Sequence, residues 1–209
     1  MALLYHNNNS ISNVTSFAQI PAGEPVFLST ATASSSASIS FNSTYINSDY
    51  KIYKFEFINM HPASDAVNFT FNMSTDNGSN YNVTKTTTYF NAYNEDGYGA
   101  TGLSYNDGAD LAQSTAFQRL SRGIGNENDE NLSGEMFLYS PSSITYVKHF
   151  MSRIDNKYYD QFGGSGKAVY STYMAGYGNT TSAVDAIRFQ MSSGNIDAGQ
   201  IKLYGIGAN

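Results

Sequence analysis

The segment "FGGSGKAVY", residues 162–170, carries the glycines and the lysine that a phosphate-cradling loop needs. Its spacing is wrong for that use. Such a loop has a glycine five residues before its Gly-Lys pair and a hydroxyl directly after it. Here those positions hold Gln161 and Ala168. No strand–turn–helix context sets a helix N-terminus beneath a phosphate, so the segment reads as a loop between strands. A second stretch, "NENDENLSGE", gathers Glu127, Asp129, Glu130 and Glu135. Calcium takes oxygens of this kind, but the ligand spacing of a calcium loop is missing, and a solvated acidic loop is expected. His6, His61 and His149 stand far apart. His61 precedes Pro62 and is expected in a turn, whereas His149 falls in a strand-like run. "GGSGK" misses the spacing of a nucleophile elbow, and no pair of carboxylates is marked for glycoside hydrolysis. The sequence nominates no catalytic residue, no metal ligand and no cofactor.

Aromatic chemistry is better represented, with 17 tyrosines in 209 residues. Tyr93, Tyr98, Tyr105 and Tyr177 fall in segments read as loops. There a ring can stack on a sugar face while nearby Asn and Asp side chains bind hydroxyls. The same side chain, apolar with one polar tip, also closes the ends of β-sandwiches. These four tyrosines are the candidate glycan contacts. Charged residues make up only 13% of the chain, and 11 basic against 17 acidic residues leave a net charge of -6. The nearest approach to a basic cluster is Lys148, His149, Arg153 and Lys157, too sparse for the phosphate-neutralising stripe of a nucleic-acid binder. The absence of cysteine excludes disulfides and thiolate metal sites. "MALLYHNNNS" lacks the basic start and apolar run of a signal peptide, and no stretch is long enough to span a membrane. Synthesis in the cytoplasm without membrane insertion is expected.

The elements that would position these residues are strands. In "YKIYKFEFI", Tyr53, Phe55 and Phe57 share one face, and Ile52, Lys54, Glu56 and Ile58 the other. "AVNFTFNM" sets Val67, Phe69, Phe71 and Met73 inward, with Asn68, Thr70 and Asn72 expected to face out. Ile187, Phe189 and Met191, then Ile201 and Leu203, alternate with polar residues in the same way. The "SSGNIDAGQ" between them is rich in turn formers and predicts a hairpin joining two paired strands. "GADLAQSTAFQRLS", with Asp110 as cap, is the one candidate helix, though its "FQRLS" end also fits an extended chain. In "STDNGSNY", Asp76 is placed to cap a turn, Gly78 to take positive φ and Tyr81 to pack back. About nine strands, regular turns and no fixed-period repeat predict an all-β, two-sheet sandwich of jelly-roll type over residues 25–209. Residues 1–24, ending in "IPAGEP", read as an extended N-terminal arm with Leu3, Leu4, Tyr5, Ile11 and Phe17 available to a neighbour.

Two resemblances accompany this reading. "STDNGSNY" resembles the Asp-box of sialidases and related carbohydrate-handling β-proteins, where it stabilises a turn away from the chemistry. Sialidases carry several boxes and an arginine triad; this chain has one box and four scattered arginines. A carbohydrate-active enzyme is therefore the weaker alternative. The stretches "FNSTYINSDYKIYKFEFINMHPASDAVNFTFNMSTDNGSNY", "SSITYVKHF" and "GYGNTTSAVDAIRFQMSSGNIDAGQIKLYGI" resemble a family of structural proteins of tailed phages, notably marine and cyanobacterial ones. The similarity runs from about residue 25 to the end and is most specific in "SGNIDAGQIKLYGI". It implies a non-enzymatic virion protein, either head decoration or tail fibre. Such a protein is held by contacts with copies of itself, expected as trimers, and with other virion proteins. A lectin-like module binding a host surface glycan is the alternative.

Overall fold

Period-two alternation becomes strand throughout the computed structural model, which describes residues 24–95, 99–158 and 168–208. The strands are β1 (Val26–Thr32), β2 (Ile39–Phe41), β3 (Tyr50–Pro62), β4 (Phe69–Ser74), β5 (Lys85–Glu95) and β6 (Thr101–Tyr105). They continue as β7 (Gln118–Arg119), β8 (Leu132–Tyr139), β9 (Lys148–Tyr158), β10 (Ala168–Gly178), β11 (Ala186–Met191) and β12 (Ile196–Ala208). Among the described residues no helix is long and apolar enough to cross a membrane. The arm, all but Glu24, lies outside the described residues, as do Tyr98 and the glycine-rich run as far as Lys167.

Two antiparallel sheets form, one of eight strands in the order β1-β12-β3-β8-β9-β10-β5-β6 and one of four in the order β2-β11-β4-β7. The logic is a folded ribbon. β1 pairs with β12, β2 with β11, β3 with β8 and β4 with β7, each pair nested inside the last. Rolling that ribbon brings β12 beside β3 and β11 beside β4, which is the winding of a jelly roll. The hairpins β5–β6 and β9–β10 are inserted into the ribbon, and both join the wide sheet beyond β8. They extend that sheet to twice the width of its partner.

Between the sheets lies a phenylalanine core. Phe189 of β11 packs against Phe55 and Phe57 of β3, each at 5.2 Å between ring centroids, and Phe57 packs on Phe69 of β4 at 5.2 Å. Edge-to-face contacts dominate, the geometry aromatic quadrupoles favour. Phe71 reaches Phe150 of β9 at 5.1 Å, tying the inserted hairpins to the ribbon.

Several sequence expectations are corrected. "SSGNIDAGQ" does not close a hairpin, because β11 belongs to the narrow sheet and β12 to the wide one; the link is a corner between sheets. Gly194 takes φ 70° there, and a Cβ on it would lie 2.2 Å from Ser64 Oγ. Residues 108–121 hold no helix: Ser114 bridges Lys85, and Gln118–Arg119 forms β7. The pull of β4 and β5 for ladder partners outweighs weak helical spacing. Thr70 and Asn72, expected outside, are buried, because the chain of residues 81–85 and 114–115 covers that side of β4. His61 lies in the end of β3, not in a turn.

Candidate functional site

The outer face of the wide sheet has no covering layer among the described residues, and its ladder register places side chains in rows across the strands. Thr86, Tyr177 and His149 form one row, and Thr88, Ala175 and Met151 the next. Ala175 and Thr88 are short, while Tyr177, His149 and Tyr139 stand tall beside them. The difference in height opens a groove of about 460 Å³, also reached by Thr87, Phe150 and Gly176. The volume falls in the range of small-ligand sites. His149 and Tyr177 approach at 6.2 Å between ring centroids, inclined at 57°. Gln113 braces the rim by donating from Nε2 to Thr86 Oγ1 at 2.8 Å, while its Oε1 accepts from Asn179 Nδ2 at 2.7 Å. No Asp, Glu, Lys or Arg lines the groove. Such a surface has aromatic walls and hydroxyl and imidazole hydrogen-bonding groups.

The candidate tyrosines do not converge. Among the three that are described, Tyr177 alone lines the groove, and it lies in β10, not in a loop. Tyr93 and Tyr105 lie in strands, not loops, and on opposite faces. Tyr93 turns inward and stacks on Tyr170 at 5.5 Å, while Tyr105 lies beside Phe90 on β6 and bonds Asp110. Sequence reasoning missed His149, Tyr139, Thr86 and Thr88. No local signal joins them, because they meet only through the register of β5, β10, β9 and β8.

The turn after β4 is built as a closed hydrogen-bond cluster. Asp76 Oδ1 accepts from Ser74 Oγ at 2.6 Å and from Asn80 N at 2.8 Å, and its Oδ2 from Asn80 Nδ2 at 2.7 Å. These donors, Ser74 first, hold the carboxyl down to about 2. Gly78 has φ 83°, and the Tyr81 hydroxyl lies where a Cβ would be, at 2.6 Å. Arg188 caps the Tyr81 ring from 4.0 Å. Each acceptor in the cluster is engaged, so the turn is a structural joint between sheets.

The acidic stretch is exposed at Glu127 and Asp129, as expected of a solvated loop, and departs from it at one residue. Glu130 is buried; its Oε2 accepts from Glu127 N at 3.2 Å, and its Oε1 lies 4.0 Å from Lys157, which also meets Asp129 at 2.5 Å. Among the described residues no group of three or more His, Asp and Glu is placed to hold a metal. His61 bonds the Glu127 carbonyl at 3.1 Å and faces Asp197 at 3.7 Å, far in the fold from His149.

Under β5, β9 and β10 the interior turns polar. Thr87 donates to Gln118 Oε1 at 2.6 Å, and Asn156 donates from Nδ2 to the Arg122 carbonyl at 2.7 Å. Both amide atoms of Asn91, the Ser152 hydroxyl and Asn156 Oδ1 are buried without a protein partner. Two lysines are buried as well, on either side of Gly178 in the ladder. Lys85 donates to Asn72 Oδ1 at 2.6 Å and to the Val83 carbonyl at 2.8 Å, and burial lowers it to about 7. Lys148 donates to the Tyr146 carbonyl at 2.7 Å and is lowered by the same cause. Comparisons with protein-family models, curated proteins and solved structures find no match for the chain.

Proposed function

We propose that the protein is a non-enzymatic structural subunit of a tailed-phage particle, acting through repeated contacts with copies of itself. The observation that carries this reading is an apolar patch at the free edge of the wide sheet. Leu103 is 72% exposed, Tyr105 56%, Val169 51% and Phe90 39%, and all stand on the outer faces of β6, β5 and β10. Large apolar side chains gathered on one surface mark an interaction site more often than chance exposure. β6 is one of the sheet's two outermost strands, and among the described residues no strand pairs with its outer edge, which can offer backbone groups to a strand of a second copy. The sequence resemblance to virion proteins and the jelly-roll winding, a fold used by capsid and lectin domains, support the same reading.

Light scattering on the full chain tests the contact. An oligomer, trimeric on the sequence expectation, should fall to a monomer in Leu103→Glu, which places a charge at the patch without touching the core. A full chain that stays monomeric at every accessible concentration would overturn self-assembly through this edge. Antibody labelling of purified particles then distinguishes head decoration from tail fibre, and particles lacking the chain would overturn the virion assignment.

A further inference from the structure

We propose that the groove formed by Tyr177, His149, Tyr139, Thr86 and Thr88 is a binding site for an uncharged saccharide. The floor comes first. Ala175 and Thr88 lie between taller neighbours, so a flat ring can descend to the sheet. The apolar C–H face of a pyranose fits the ring of Tyr177 or Tyr139, an aromatic body with its polar tip at the rim. The hydroxyl edges need groups that both donate and accept. Among the described residues no partner bonds the His149 ring nitrogens or the Tyr139 hydroxyl, and the Tyr177 hydroxyl has a single 3.5 Å contact from Gln113. The Gln113–Asn179 pair fixes the rim in place before any ligand arrives, which lowers the ordering cost of binding.

Charge selects the class of ligand. The groove is lined by no Asp, Glu, Lys or Arg, and a chain of net -6 repels acidic glycans at a distance. The adjoining hollow on the same face is different, being lined by Glu56, Glu135, Arg153 and Asp155. Burying a neutral sugar in the first costs no ion desolvation, whereas a second protein copy would bring its own charged rim against a neutral wall. This site is separate from the β6-edge contact, so the two proposals fail independently.

The test is calorimetric titration of the full chain with neutral trisaccharides of glucose, mannose, galactose and N-acetylglucosamine, alongside a trimeric uronate. Binding of at least one neutral probe is expected, with the uronate at least ten-fold weaker. Tyr177→Ala and His149→Ala should each weaken the neutral probe ten-fold or more. Ala175→Leu, which adds atoms to open space and leaves the core untouched, should block it. Tyr146→Ala, an exposed tyrosine outside the groove, should bind as the parent chain does. Loss of every neutral probe, preference for the uronate, or binding that survives Ala175→Leu would each overturn the proposal. So would groove variants that change the oligomer mass while no sugar binds, since the occupant would then be a second copy.

Discussion

At the scale of single residues, Lys85 sets a pH dependence. Its ammonium is buried with two neutral acceptors and no carboxylate. Burial favours the neutral amine, so the folded-state value falls from 10.5 to about 7. Between those values the unfolded chain holds a proton that the folded chain has released, so stability rises with pH across that window. Below about 7 the full burial penalty applies, on the order of 4 kcal/mol. Lys85→Met should therefore be more stable than the parent at pH 6, with the advantage shrinking at pH 10. Asn72 Oδ1 keeps its bond from Met73 N in that variant. Urea unfolding at the two pH values checks this, and an equal gap at both would refute it. Asp76 gives the same direction in a lower window: with its carboxyl held at about 2, its stabilising contribution is present above pH 3.8 and lost as pH falls through 2.

Among elements, the nested ribbon and the inserted hairpins differ in what they bury. β11 inserts Phe189 among four other phenylalanines, and Phe189→Ala should cost about 3–5 kcal/mol. β5 buries Asn91 with neither amide atom bonded to protein. Asn91→Leu removes polar atoms whose desolvation costs about 1–3 kcal/mol, so it should hold or raise the melting temperature. Thermal unfolding of both variants tests the contrast, and a loss in Asn91→Leu as large as in Phe189→Ala would contradict it. The ribbon was the legible part. Alternation in β3, β11 and β12 identifies which side chains face the core, because one face of each is apolar. It could not foresee that Thr70 and Asn72 would be buried, since covering the second side of β4 depends on chain from residues 81–85 and 114–115. Nor could it separate a hairpin from a corner after β11, because turn residues report a change of direction and not the sheet that follows. The groove was hidden for a related reason: Thr86, His149 and Tyr177 share a row only through long-range register.

For the whole molecule, the proposed self-association would set acidic subunits side by side. Each has a net charge of -6, and surface repulsion is screened within about 8 Å at physiological ionic strength. The oligomer should therefore tighten as salt rises from low to physiological levels, read by light scattering at fixed protein concentration. An oligomer that dissociates as salt is added would place ion pairs, not the Leu103 patch, at the contact. The arm residues Leu3, Leu4, Tyr5, Ile11 and Phe17 are a second proposed source of contact; deleting residues 1–20 tests them separately, and a variant that still assembles and enters particles would exclude them. The nested pairing also has a consequence for biosynthesis. β12 lies between β1 and β3, and β11 between β2 and β4. Neither sheet can close until the ribosome has released strands that lie far along the chain, and such long-range pairing makes folding slow. Emerging chains therefore wait, open-edged, for β11 and β12, and a chain stopped before them lacks the strand that joins β1 to the rest. The winding therefore acts as a proofreading step on translation: a chain stopped before β11 and β12 closes neither sheet and is left to the cell's proteases.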